Sequence, residues 1–177
     1  MALIVSIDIS EEVRNTIQQQ IDPIKKKHPE YNWIDSAGYF IPIYYLPHEI
    51  KEDVAIQKIE KVLFDIPTFR LFALDFHVHI DHIIRILVRF HTQHTLEQIA
   101  KDIRTEFGST QLYEPTVEIA KYRIPSRQQY KHLQTQLTQV DCDVEIPVDA
   151  IHIFSTKQRG DAEIAEIVHS FPLIKEE

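Results

Sequence analysis

The sequence predicts an α+β fold of two pseudo-symmetric lobes, each a mainly antiparallel sheet with outer helices, arranged around a central cleft. Three observations lead there. A strand–helix–strand–helix order occurs once in each half of the chain. Segment 69–80, between the halves, alternates in hydropathy like a half-buried strand. No Gly/Ser linker, charge block or low-complexity stretch divides the 177 residues, so 1–177 reads as a single two-lobed domain.

The elements follow in order. Residues 2–8 (ALIVSID) read as a strand, and Ser10 caps a helix over 10–27 whose stripe is Val13, Ile17, Ile21 and Ile24, with Pro23 expected to end or kink it. A short apolar run at 39–46 (YFIPIYYL) is the next strand. The amphipathic segment 50–64 carries Ile50, Val54, Ile59, Val62 and Leu63 and is expected to stop at Pro67. In FRLFALDFHVHI (69–80), Phe72, Leu74, Phe76, Val78 and Ile80 alternate with less apolar residues. The second half repeats the order. A strand at 83–91 leads to a Thr95/Gln98 capping box and a helix to Phe107, with Gly108 as the stop. An extended run at 113–121 leads to a Ser126/Gln129 box and a helix to Val140 with the stripe Tyr130, Leu133 and Leu137. Two further strands, around 144–154 and 163–171, close the chain.

Composition narrows the function classes. With 44% hydrophobic residues, 26% charged residues and 3 glycines, the chain is a folded globular protein rather than a disordered or fibrous one. Cys142 is the lone cysteine, which excludes an internal disulfide framework and a zinc site of several thiolates. The opening MALIVSIDISEE meets Asp8 too early for a signal h-region or a membrane span, so the cytoplasm is expected and no membrane partner. A net charge of −8 opposes duplex DNA, although 10 histidines move that balance towards zero in mild acid. A short, locally held nucleotide or RNA end is compatible with it, and nothing in the chain calls for a cofactor.

Several strings resemble one family when taken in order. IDISEEVRNTI (7–17), Trp33 followed by AGYFIPIYYLP (37–47), YEPTVEIAKYR (113–123) and AIHIFSTKQRGDAEIAEIVHSFPL (150–173), with its turn at Gly160, are similar to the successive motifs of the two-histidine phosphoesterase superfamily. Its members include the 2′-5′ RNA ligases and RNA 2′,3′-cyclic phosphodiesterases. The resemblance implies a cleft with two His-x-Thr motifs, one imidazole taking a proton and the other giving one, and the hydroxyls holding phosphate. Here those motifs fall on Phe40-Ile41-Pro42 and Thr116-Val117-Glu118. Phe40 and Pro42 carry no ionisable group, Thr116 cannot serve as the second acid or base, and Glu118 brings negative charge to the phosphate position. Losing each catalytic group costs roughly 10²–10⁴-fold, so the family reaction is expected to be absent.

Other residues remain to be weighed. Asp75, His77 and His79 share one strand face, and His82 or His91 would complete a metal set; the isolated His-x-His lacks the spacing of a defined zinc motif, so the expectation is no metal and a solvated polar face. Arg85 and Arg89 share a strand face opposite Ile84, Ile86, Val88 and Phe90 and are candidates to hold a phosphate or carboxylate, the favoured alternative being surface arginines that balance the 27 acidic residues. Tyr44, alternating with the core face, is a candidate to stack on a ligand beside Phe40 and Pro42, while the aromatic cluster it forms with Trp33, Tyr39, Phe40 and Tyr45 is expected rather to fill the space of the first motif. Cys142 lies between Asp141 and Asp143, charges that disfavour a thiolate. The leading functional expectation is a non-catalytic 2′-5′ RNA ligase-like protein with a cleft for a nucleotide, an RNA end or a protein partner. The alternatives are a phosphoesterase using relocated His77, His79 and His91, or a purely structural or interaction domain.

Overall fold

The structure, a computed structural model, describes residues 2–123, 126–159 and 162–175. Nine strands and four α-helices occur among them: β1 (Ala2–Asp8), α1 (Glu11–Lys27), β2 (Asn32–Trp33), β3 (Phe40–Tyr45), α2 (Glu52–Leu63), β4 (Phe69–Ile80), β5 (Ile84–Phe90), α3 (His94–Glu106), β6 (Thr116–Tyr122), α4 (Arg127–Leu137), β7 (Glu145–Val148), β8 (Ala150–Arg159) and β9 (Ala162–Pro172). A 3₁₀ turn, Ser36–Gly38, precedes β3. The predicted turn at Gly160 lies outside the described residues.

The strands form two antiparallel sheets, in the orders β3-β1-β8-β9 and β2-β6-β5-β4-β7. The expected pseudo-symmetry is visible in these orders. β3, β1, β8 and β9 correspond to β6, β5, β4 and β7, with β2 added at an edge. The lobes are nevertheless not the two halves of the chain, since β1 and β3 pair with the C-terminal β8 and β9. The single strand expected around 144–154 breaks at Asp149, and its parts, β7 and β8, join different sheets.

Helices form where their apolar stripes can be buried. Ser10 accepts a hydrogen bond from the Val13 amide, and Ile17, Ile21 and Ile24 are the buried stripe of α1. Pro23 does not end this helix. It is exposed, as is Gln19, whose carbonyl loses its intrahelical donor and can turn to water, while the stripe on the other face stays continuous through Ile24. Helix α2 buries Ala55, Ile59 and Leu63 and ends before Pro67, where Asp65 takes a positive φ of 61°. Helix α3 is capped by Gln93, whose side chain accepts from the Leu96 amide at 3.0 Å; the predicted box at Thr95 does not form because the helix already begins at His94, which puts Thr95 inside its first turn, and Gln98 reaches forward to Asp102 at 2.8 Å. Ser126 and Gln129 make the reciprocal capping box of α4.

These stripes join the buried faces of both sheets in a common apolar cluster that includes Val5, Ile7, Ile41, Ile86, Val88, Val117 and Ile153. Strand β4 contributes with a change of phase. Phe69 and Leu71 are buried, then Phe76 and Val78, because the register shifts between Ala73 and Asp75; Phe72 and Leu74 are therefore exposed, against the alternation expected of them. Among the described residues no helix is long and apolar enough to cross a membrane.

Ile41 pairs with Ile7 on the buried face of β3 and is 0% exposed. Ile41→Ala is expected to cost about 2–5 kcal/mol of unfolding free energy, read from urea denaturation, because the edge strand has little freedom to collapse into the cavity.

Candidate functional site

Where β3 and β6 meet, the two sheets form the walls of a cleft. On β3 the half-buried Phe40 and Pro42 alternate with the buried Ile41 and Ile43; on β6 the half-buried Thr116 and Glu118 alternate with Val117 and Ile119. The four motif-equivalent residues thus stand on the face opposite the core, as the alternation of side chains requires.

Tyr44 does not join them. Ser6 pairs with Pro42 and Val5 with Tyr44, so Ile43 is an extra residue in β3. The bulge turns Tyr44 to the buried side, where its ring lies 5.5 Å from that of Phe107, and it turns the exposed Tyr45 outward instead.

The five-stranded wall is read directly from its register. Asp75, Arg89 and Thr116 form one cross-strand row, His77, Leu87 and Glu118 a second, and His79, Arg85 and Lys121 a third. Charge is matched within it. Arg89 donates from Nε to Asp75 Oδ1 at 2.8 Å and from Nη2 to Oδ2 at 2.5 Å. Arg85 Nε lies 3.1 Å from Glu118 Oε2, Lys121 Nζ lies 2.9 Å from Glu118 Oε1, and Arg85 also pairs with Asp81. The two arginines, candidates to hold an anion, are therefore engaged by the protein's own carboxylates, which is the charge-balancing alternative.

These contacts set the titration of the wall. The Arg89 hydrogen bonds hold the Asp75 carboxyl below the usual carboxylate range, and Asp75 in turn raises Arg89. Burial and the Arg89 charge push His77 down. His77 and His79 share their face with Asp75, as expected, but His91 stands at the end of β5 with its amide bonded to the Phe72 carbonyl. Among the described residues no group of three or more His, Cys, Asp or Glu is placed to hold a metal ion. Burial, reinforced by Asp75 and Asp143, pushes the Cys142 thiol up to about 12, which leaves it inert at neutral pH.

The four-stranded wall holds groups that sequence reasoning passed over. Pro42, Ser6, His152 and Ser170 form one row across β3, β1, β8 and β9. His152 Nδ1 and Ser170 Oγ share a hydrogen bond of 2.9 Å, and burial lowers the basicity of the imidazole. Asp8, beside Phe40 in the register, pairs with Arg14 of α1 at 2.6 Å. Phe40 meets Phe154 edge to face at 5.4 Å. The alternation IHIF places His152 opposite Ile151 and Ile153, but only the pairing of β1 with β8 brings it next to Ser6 and the first motif strand.

No protein-family model matches the sequence, and no curated protein matches it significantly. Solved structures do match. TT0787 of Thermus thermophilus superposes over 100% of both chains with a TM-score of 0.74 at 14% identity. The chain has the fold of LigT-like phosphoesterases. Escherichia coli LigT in its apo form matches 97% of this chain and 96% of its own with a TM-score of 0.68 at 13% identity, and a structure described as a phosphoesterase matches 97% of both chains with a TM-score of 0.68 at 14% identity. LigT has also been solved with NADP+, with 3′-AMP and with ATP. The LigT-like fold agrees with the two lobes and antiparallel sheets expected from the sequence.

The Asp75–Arg89 pair gives a pH prediction. A depressed carboxyl contributes stability above its unfolded pKa, and that contribution is lost as pH falls through the lower folded value. Asp75→Asn is expected to cost about 1 kcal/mol at pH 7, a figure kept small because the pair is partly exposed. Denaturation measured at stepwise lower pH should show wild type and variant converging below the ordinary carboxylate range.

Proposed function

We propose that residues 1–177 form one two-lobed LigT-like domain that does not catalyse the family reaction and instead binds a nucleotide or short RNA end in its cleft. The reading is supported by Phe40 on β3 and Thr116 on β6, which stand where the resemblance would put the two histidines. Neither exchanges a proton near neutral pH. Relocation to His77, His79 and His91 gains no support from geometry, since among the described residues no hydrogen bond joins any two of these rings, and His77 shares its row with Leu87 and Glu118. The nucleotides found with LigT, a protein of the same fold, support a nucleotide-sized ligand. The lone, unreactive Cys142 and the acidic balance suit a cytoplasmic protein that avoids duplex DNA.

A screen of 2′,3′-cyclic and 2′-5′-linked nucleotides for turnover and for binding tests this reading. The expected outcome is binding without turnover. Robust hydrolysis by wild type, abolished by His77→Ala or His91→Ala, would show that catalysis moved rather than vanished.

Glu118 supplies a second test. Its carboxylate holds both Arg85 and Lys121, so a ligand phosphate at that position meets a cation pair already neutralised. Glu118→Gln should strengthen AMP binding on the order of five- to tenfold and make the gain salt-sensitive, as measured by titration calorimetry.

A further inference from the structure

The two walls of the cleft differ in what they leave unsatisfied. On the five-stranded sheet Arg85, Arg89 and Lys121 each hold a carboxylate of the chain. On the four-stranded sheet, hydrogen-bonding capacity is left over. Ser6 is 0% exposed and its Oγ has no partner among the described residues. A buried hydroxyl without a hydrogen bond is unfavourable, and native proteins keep few of them. Its register neighbour His152 uses Nδ1 for Ser170, and no hydrogen bond from the described residues engages Nε2. β1 lies between β3 and β8, so the contact between the Phe40 and Phe154 rings must pass over the cleft face of β1, which is the face Ser6 presents.

We propose that Ser6, His152 and Ser170, roofed by Phe40 and Phe154, form a subsite for an uncharged nitrogen heterocycle such as the base of a nucleoside, admitted when the Phe40 ring turns aside. This rests on the nucleotide reading above and specifies it: the base, rather than the phosphate, is what the cleft holds. A serine hydroxyl and a neutral imidazole both donate and accept, which matches the mixed edge of a base. Burial keeps His152 in that neutral form. The rings supply apolar faces for stacking. Phe40 can move at little cost to the sheet because it is half-buried on an edge strand, while its neighbour Ile41 anchors the backbone.

The test is calorimetric titration of the full chain with adenosine, AMP and ribose 5-phosphate at low and high salt. Adenosine should bind about as tightly as AMP, ribose 5-phosphate should not bind, and adenosine affinity should be indifferent to salt. His152→Ala and Ser6→Ala should each weaken adenosine by roughly five- to tenfold, the loss of one hydrogen bond. Ser6→Ala should also raise the thermal midpoint of the free protein, because it removes an unpaired buried hydroxyl; that variant keeps the test valid should His152→Ala fold poorly. Binding of AMP and ribose 5-phosphate without adenosine would overturn the subsite and leave the nucleotide reading standing. Adenosine binding that ignores both substitutions would overturn it as well. No binding of any of the three would overturn both.

Discussion

The register of β1 against its two neighbours is the constraint on which the cleft depends. This strand is hydrogen-bonded to β3 on one side and β8 on the other, and its side chains alternate between the core and the cleft. Val5 and Ile7 fix one face by burial, which obliges Ser6 and Asp8 to take the other. A slip of one residue would bury Asp8 and expose Ile7, so the register is strongly held. Everything on the four-stranded wall inherits its position from this choice, including Phe40, Pro42 and His152.

Charge balance shapes the opposite wall. A cleft built to take phosphate needs cations with no nearby counterion. Here Arg85, Arg89 and Lys121 of the five-stranded face each meet a carboxylate, placed directly across the strand ladder or a few residues along it. Such pairs add little to stability at partly exposed sites, but they remove the local positive potential that would draw in a polyanion. The two walls together describe a cleft with cations already matched by carboxylates on one side and a buried, unpaired hydroxyl on the other.

The sequence revealed local features well and long-range ones poorly. The bounds of strand β4 were legible although its inward face was not, and the Ser126–Gln129 box was legible because its chemistry is local. The two segments that resemble the motif strands, 40–42 and 116–118, could be placed by their order along the chain. What escaped were features set by partners far away in sequence. The bulge at Ile43, which hides Tyr44, exists only in the pairing of β3 with β1. The break at Asp149 reflects two sheets competing for adjacent residues. His152 drew no notice because nothing within its own segment distinguishes it; its neighbourhood with Ser6 is created by a pairing between the two ends of the chain.

That same pairing bears on how the chain reaches its fold. The five-stranded sheet is assembled from residues between Asn32 and Val148, whereas the four-stranded sheet cannot close until β8 and β9 have been made. Thr156 and Ala2, joined by a hydrogen bond, are 154 residues apart. Closing so long a loop is slow relative to forming local hairpins, and during synthesis from the N-terminus β1 and β3 emerge long before their partners. A β1–β3 pair waiting in this way leaves the apolar edge of Leu3, Val5 and Ile7 without its final neighbour. Strands β8 and β9 therefore act as the closing step for this sheet, covering an edge that is open to other chains until they emerge.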